Sequence, residues 1–228
     1  FRGWSINSSW SLNIIKNALD RSINPSKGFT IKALFDLEKN DFIEGLNLSD
    51  SGTLLEEFKP NDLARFQING TYHYELPWKK RWTISLKGYA GWINKQNVDP
   101  FFHFYLGGIP GLKGYPFYSI QGTKSSFIDA IFRIPVFRER HYKFKWMIFQ
   151  NSTLGAIFQA GDAWTDDFLI KRSLGIQWRL NGFSFYNFPT AIELEYHQPL
   201  DKFEKEINEE NILYGDKGRA YLKILFDF

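Results

Sequence analysis

The chain has no cysteine, a single methionine and nine prolines in 228 residues. Without cysteine there is no disulfide, no thiolate nucleophile and no cysteine-ligated metal, although the compartment stays open. No stretch reaches the roughly 18 consecutive apolar residues of a spanning helix, which excludes helical membrane insertion. A formal charge of +3 is too small to imply nucleic acid, and no basic stripe interleaves with the aromatics. The four histidines, His73, His103, His141 and His197, share no metal spacing. No serine has a histidine placed to activate it. Hence neither a cofactor, nor a metal, nor an enzymatic role is expected. There is also no initiator methionine and no signal peptide, so the chain is expected to be processed or to be the back part of something longer.

What the chain does have is aromatic residues, 18% of the total beside 23% charged ones. They fall into segments of about 10–14 residues that alternate apolar and polar. Residues 2–16 set Trp4, Ile6, Trp10, Leu12 and Ile14 against Ser5, Asn7, Ser9, Ser11 and Asn13. Further segments follow at 28–39, 63–76, 82–95, 125–137, 146–160, 171–181, 190–198 and 218–228. That makes about nine strands and no convincing helix. Such strands exceed the usual length of about 5–6 residues in soluble sheets and suit the roughly 9–11 of a tilted membrane strand. One parity is nearly all apolar and the other carries both signs of charge. This is the pattern of a barrel with lipid outside and a polar lumen. Trp78, Trp82, Trp92, Trp146 and Trp164 fall at segment ends, as interfacial aromatics do. Compact turns (77–81, 183–189) alternate with long connections (40–62, 96–124, 199–217), as periplasmic turns alternate with surface loops. The expected fold class is all-β, a transmembrane antiparallel β-barrel forming one domain over residues 1–228.

The stretch at 102–116, FHFYLGGIPGLKGYP, is too aromatic for a solvated loop. Gly107, Gly108, Gly111 and Gly114 permit tight turns, and Pro110 and Pro116 stiffen the path. It reads as a loop folded back into the protein, with one charge, Lys113, near its tip. A packed Ω-type loop that only fills space is the plain alternative.

Y-L-G-G-x-x-x-L-K-G-Y, a strand ending F-R-I-P, and A-I-F-Q-A-G-D-A-W together resemble the C-terminal half of BamA/TamA-type outer-membrane assembly factors, the bacterial surface antigen superfamily. The connector D-R-S-I-N-P-S-K-G at 20–28 and the aromatic end at Phe226 and Phe228, similar to an outer-membrane assembly signal, extend the resemblance over essentially the whole chain. It implies a barrel of about sixteen strands, of which these match the last nine, in the outer membrane of a Gram-negative-type bacterium. It also implies a loop-tip motif, here Leu112, Lys113, Gly114 and Tyr115, that touches the lumen wall. The tip departs from the family's Arg-Gly-Phe/Tyr, because Lys113 replaces the arginine. The wall departs too: Gln159 and Ile131 stand where the family has carboxylates. An ammonium needs no planar fork, so Lys113 is expected to pair with Asp129, with Arg133 and Gln159 nearby; the alternative is an unpaired Lys113 reaching lumen water. Glu193, Glu195 and His197 share a lumen face as an acid–base cluster would, but ordinary lumen polarity explains them better. The basic groups Lys79-Lys80-Arg81 and Arg138, Arg140 and Lys143 are expected to be solvated or to meet phosphate headgroups.

By this resemblance the chain inserts or translocates outer-membrane polypeptides, with unfolded clients as partners, an openable seam near the last strand and the loop as a brace. A passive pore or a structural anchor barrel is the alternative, since fold alone does not fix function. An odd strand count leaves closure to a second copy or to missing upstream strands. If residues 1–16 were not a membrane strand, eight strands could close alone around a filled lumen.

Overall fold

The structure, a computed structural model, describes residues 2–16, 25–49, 52–79, 81–138, 140–185, 188–207 and 210–226. The alternating segments become long strands: β1 (Arg2–Ile15), β2 (Gly28–Leu48), β3 (Leu54–Glu75) and β4 (Thr83–Ile93). A long connection carries the two-residue strands β5 (Phe104–Tyr105) and β6 (Gln121–Gly122). Then come β7 (Lys124–Phe137), the short β8 (Tyr142–Phe144), β9 (Met147–Trp164), β10 (Lys171–Ser184) and β11 (Phe188–Pro199). The hairpin β12 (Phe203–Ile207) and β13 (Glu210–Tyr214) precedes the last strand, β14 (Arg219–Phe226). The main sheet is antiparallel in the order β1-β2-β3-β4-β7-β9-β10-β11-β14, with β8 paired on β9. Strand β1 bonds β2 along its whole length, from Arg2↔Asp41 to Ile15↔Gly28, so residues 2–15 are a strand of the sheet. The sheet is not closed in this chain: β1 and β14 are its two ends.

Burial is inside out. Trp4, Ile6, Trp10, Leu12 and Ile14 are all at least half exposed, and Ile128, Val136, Ile176 and Leu222 are more than half exposed. Meanwhile Asp129, Arg133, Gln159, Gln177, Arg179, Glu193, Glu195 and His197 are buried. Apolar surface facing outward is favourable only in an apolar solvent. From Trp4 to Ile14 is about 33 Å of strand. Tilted by about 40°, that covers roughly the 25 Å apolar band of a membrane barrel.

All three of the long expected loops contain strand, the 96–124 connection only the short β5 and β6. Residues 40–62 are a continuation of the β2–β3 hairpin, paired from Asn40↔Asn61 out to Leu48↔Leu54. A register shift between Ile43 and Gly45 breaks the alternation there, which is why the segment reads as a loop. Residues 199–217 hold the β12–β13 hairpin. The strand ends that flank 16–27, 76–82, 138–146 and 185–187 lie at one end of the antiparallel sheet, the turn end; those that flank 49–53, 94–123, 165–170 and 200–218 lie at the other, the loop end. Phe226 pairs with Thr190 at the turn end. Phe228, and residues 20–24 of the 20–28 connector, lie outside the described residues.

Candidate functional site: the loop tip and the lumen wall

The long connection between β4 and β7 folds back on itself. Asp99 caps a single 3-10 turn over Pro100–Phe102, its Oδ1 accepting from the Phe101 amide at 2.8 Å. Strands β5 and β6 zip the two limbs together through Phe104↔Gly122 and Tyr105↔Gln121. Phe102, Phe104, Leu106, Leu112, Tyr115 and Ile120 then form a core with Leu63, Ile93, Phe127 and Ala163 of the wall. Burying these side chains supplies the driving force, at roughly 25 cal/mol per Å² of apolar surface.

The turn needs glycine at all four of its glycine positions. Gly108 has φ +76°, which a side chain rarely adopts, and its amide lies 3.0 Å from the Leu112 carbonyl and 2.9 Å from that of Tyr115. At Gly114 a Cβ would sit 2.8 Å from Ser173 Cβ and 3.2 Å from the Pro199 nitrogen. Only a hydrogen fits between the tip and the β10–β11 wall. Gly107 and Gly111 lie in the same turn, where a Cβ would meet the Pro116 and Leu106 carbonyls respectively.

The tip is held along its backbone and by its charge. Gln159 on β9 accepts from the Lys113 amide at 2.9 Å and donates to the Gly111 carbonyl at 3.2 Å. Tyr221 on β14 donates its hydroxyl to the Lys113 carbonyl at 2.8 Å. Lys113 Nζ reaches Glu195 Oε2 on β11 at 2.6 Å. The expected pairing with Asp129 is therefore replaced: Asp129 Oδ2 accepts from Gln159 Nε2 at 3.1 Å, and its Oδ1 has no hydrogen-bond partner among the described residues. The reason is geometric. Gln159 occupies the space between Asp129 and the tip, and β11 presents a carboxylate from the other side.

Glu195 is the hub of a wider network. Its Oε2 also accepts from Lys223 Nζ of β14 at 2.7 Å, and its Oε1 from Gln177 of β10 at 2.8 Å. Gln177 in turn accepts from Arg133 of β7 at 2.7 Å. Arg133 reaches Ser85 of β4 at 3.3 Å, and Ser85 meets His73 of β3 at 2.8 Å. Lys223 also donates to Glu193 at 2.9 Å, and Glu193 pairs with Arg179 at 3.6 Å. His197 Nε2 lies 3.4 Å from Glu195. The chain of contacts thus runs from β3 to the last strand, with the loop tip inserted at its middle.

The C-terminal limb of the loop is anchored at the loop end. The Tyr115 hydroxyl lies 2.9 Å from the carbonyls of both Arg172 and Asp201, and burial pushes it up to about 12. Arg172 donates to Asp201 from Nε at 3.0 Å and Nη2 at 2.9 Å, which holds the Asp201 carboxyl below its usual range. Phe203 of β12 packs on the Tyr115 ring at 5.8 Å.

An inside-out antiparallel sheet with a glycine-rich loop folded against its polar face agrees with the sequence comparison: residues 2–156 match the Omp85 superfamily domain. The chain belongs to the Omp85 superfamily. Neither a curated protein nor a solved structure matches it. The Omp85 match covers β1 to β7, the loop and most of β9; Glu195, Tyr221 and Lys223 lie beyond it. Of the residues singled out in the sequence, the structure brings together Lys113, Gly114, Tyr115 and Gln159. Asp129 and Arg133 stand one residue further along the network. Glu195 is the residue that sequence reasoning set aside. The sequence does place Glu193 and Glu195 at alternate positions of one inward face, as it does Asp36 and Glu38, but it does not say which acid stands at the height of the tip.

Proposed function

We propose that this Omp85 chain forms the C-terminal part of an outer-membrane barrel, in a Gram-negative-type bacterium, that helps insert or translocate outer-membrane polypeptides. No enzymatic step is part of this reading. The superfamily membership supports it, and members of this superfamily are outer-membrane proteins working with outer-membrane substrates. One observation gives it a mechanism: the loop tip and the terminal strand share Glu195, through Lys113 at 2.6 Å and Lys223 at 2.7 Å. Parting β14 from β11 would break the Lys223 contacts and pull Tyr221 off the Lys113 carbonyl. The loop is then a brace whose grip depends on the seam strand being in place.

The free edges of β1 and β14 cannot face lipid unpaired, because backbone groups there find no water. Further strands, from the same protein or a second copy, complete the barrel. Insertion of an unfolded barrel substrate into vesicles, with the intact protein and with residues 102–118 removed, tests the function. Stimulation that depends on the loop supports it. A passive pore is the competing reading, favoured by the charged lumen wall; high conductance with no stimulation of insertion would establish that one instead.

A further inference from the structure

The two ends of the sheet differ sharply in charge. Among the described residues, the turn-end connections (16–27, 76–82, 138–146 and 185–187) contain eight Lys and Arg and no Asp or Glu. The described residues of the loop-end connections (49–53, 94–123, 165–170 and 200–218) contain five Lys against eight Asp and Glu. A formal charge near zero for the whole chain hides this polarity.

The turn-end cations sit where the apolar band stops. Arg138 follows Val136, which is 56% exposed, and Arg81 precedes Trp82, whose ring packs on Phe132 at 5.5 Å. Aromatic side chains stand among them: Lys79 Nζ lies 5.9 Å from the Trp82 ring, Lys145 Nζ lies 5.8 Å from that of Phe144, and Trp146 stacks on Phe185 at 5.0 Å. Among the described residues, Lys79, Arg81, Lys143 and Lys145 form no ion pair. Glu75 accepts from the Arg81 amide at 2.9 Å. Two of the cations even occupy left-handed backbone that favours glycine, Arg81 at φ 64° and Lys145 at φ 51°. A turn that keeps a long basic side chain there keeps it against local preference.

We propose that the turn end is a docking surface for anionic phospholipid headgroups, with the phosphates held by Lys79, Arg81, Arg140 and Lys143 and the glycerol region by the aromatic rim. Aromatic rings sit at headgroup level with basic side chains reaching past them, and each cation close to an anionic lipid surface adds about fivefold in affinity. The loop end, with its excess of acids, does not qualify. The proposal rests on the barrel spanning a membrane and is independent of any insertase activity.

Native mass spectrometry of the protein extracted in mild detergent, with equimolar phosphatidylglycerol and phosphatidylcholine added, tests this. Phosphatidylglycerol adducts should exceed phosphatidylcholine adducts at least tenfold, and the preference should fall with added salt. Exchanging Lys79, Arg81, Arg140 and Lys143 for Gln, or in a second variant for Glu, should bring the ratio to about one while β-sheet circular dichroism is kept. Lys202→Glu with Lys205→Glu at the loop end should leave it unchanged. Equal retention of the two lipids by the parent, or an undiminished ratio in both turn-end variants, overturns the proposal. So does a polyglutamate peptide that displaces phosphatidylglycerol at lower concentration, which would make the surface a site for an acidic polypeptide.

Discussion

At the residue scale the structure turns on a buried carboxylate. Glu195 has a fully buried side chain and accepts from two ammonium groups, so removing it strands Lys113 in a confined space and leaves Lys223 to Glu193. Breaking a buried pair from one side costs about 3–5 kcal/mol. Glu195→Ala should therefore lower the unfolding temperature markedly and open 107–116 to protease. Asp129→Asn should do neither, because among the described residues the Asp129 carboxylate is hydrogen-bonded by the Gln159 amide alone, a bond that an Asn oxygen also accepts. A comparison of the two by limited proteolysis decides between them, and equal effects would restore Asp129 as the loop's anchor. Asp201 carries a pH dependence. Arg172 depresses its folded pKa below the ordinary 3.8. Its contribution is thus present above that value and is lost as pH falls through the folded pKa. Protection of the loop limb at Tyr115 should fail on the acid side only, and Asp201→Asn should remove that limb of the profile. Lys113 as the tip charge was legible in the sequence; its partner was not. Choosing between Asp129 and Glu195 requires the stagger of β7, β9, β10 and β11, and alternation gives a residue's face without its height.

At the element scale, strands whose two faces differ in polarity were legible from their period alone. Where the period fails, so did the reading: the Ile43/Gly45 register shift hid the outer halves of β2 and β3. That outer ribbon extends past Asp41, where β1 ends its pairing, and its ion pair to β1, Arg2–Glu56 at 3.7 Å, is solvent-exposed. Deleting residues 44–57 and closing the hairpin with Asn-Gly should leave the unfolding temperature within a few degrees. A large drop would mean that the ribbon supports the sheet. The loop is the opposite case. Gly114→Val would force a side chain into Ser173 and Pro199; the tip should then detach, seen as cleavage within 107–116 while the strands keep their circular dichroism.

At the scale of the whole molecule, the sheet joins an apolar outer surface to a polar inner wall, and the loop ties that wall to the terminal strand. The contact between residues 113 and 221 closes across 108 positions of sequence. No local pattern announces such a contact. If loop and seam are one coupled unit, loosening either must loosen the other, because coupling between two sites is reciprocal. The most direct test is hydrogen exchange on two variants, Lys223→Ala read at residues 107–116 and Lys113→Ala read at residues 219–226. Coupling through Glu195 predicts about tenfold faster exchange in the distant segment of each. Faster exchange confined to the mutated segment would contradict it, leaving the loop a filler of the lumen with no hold on the last strand.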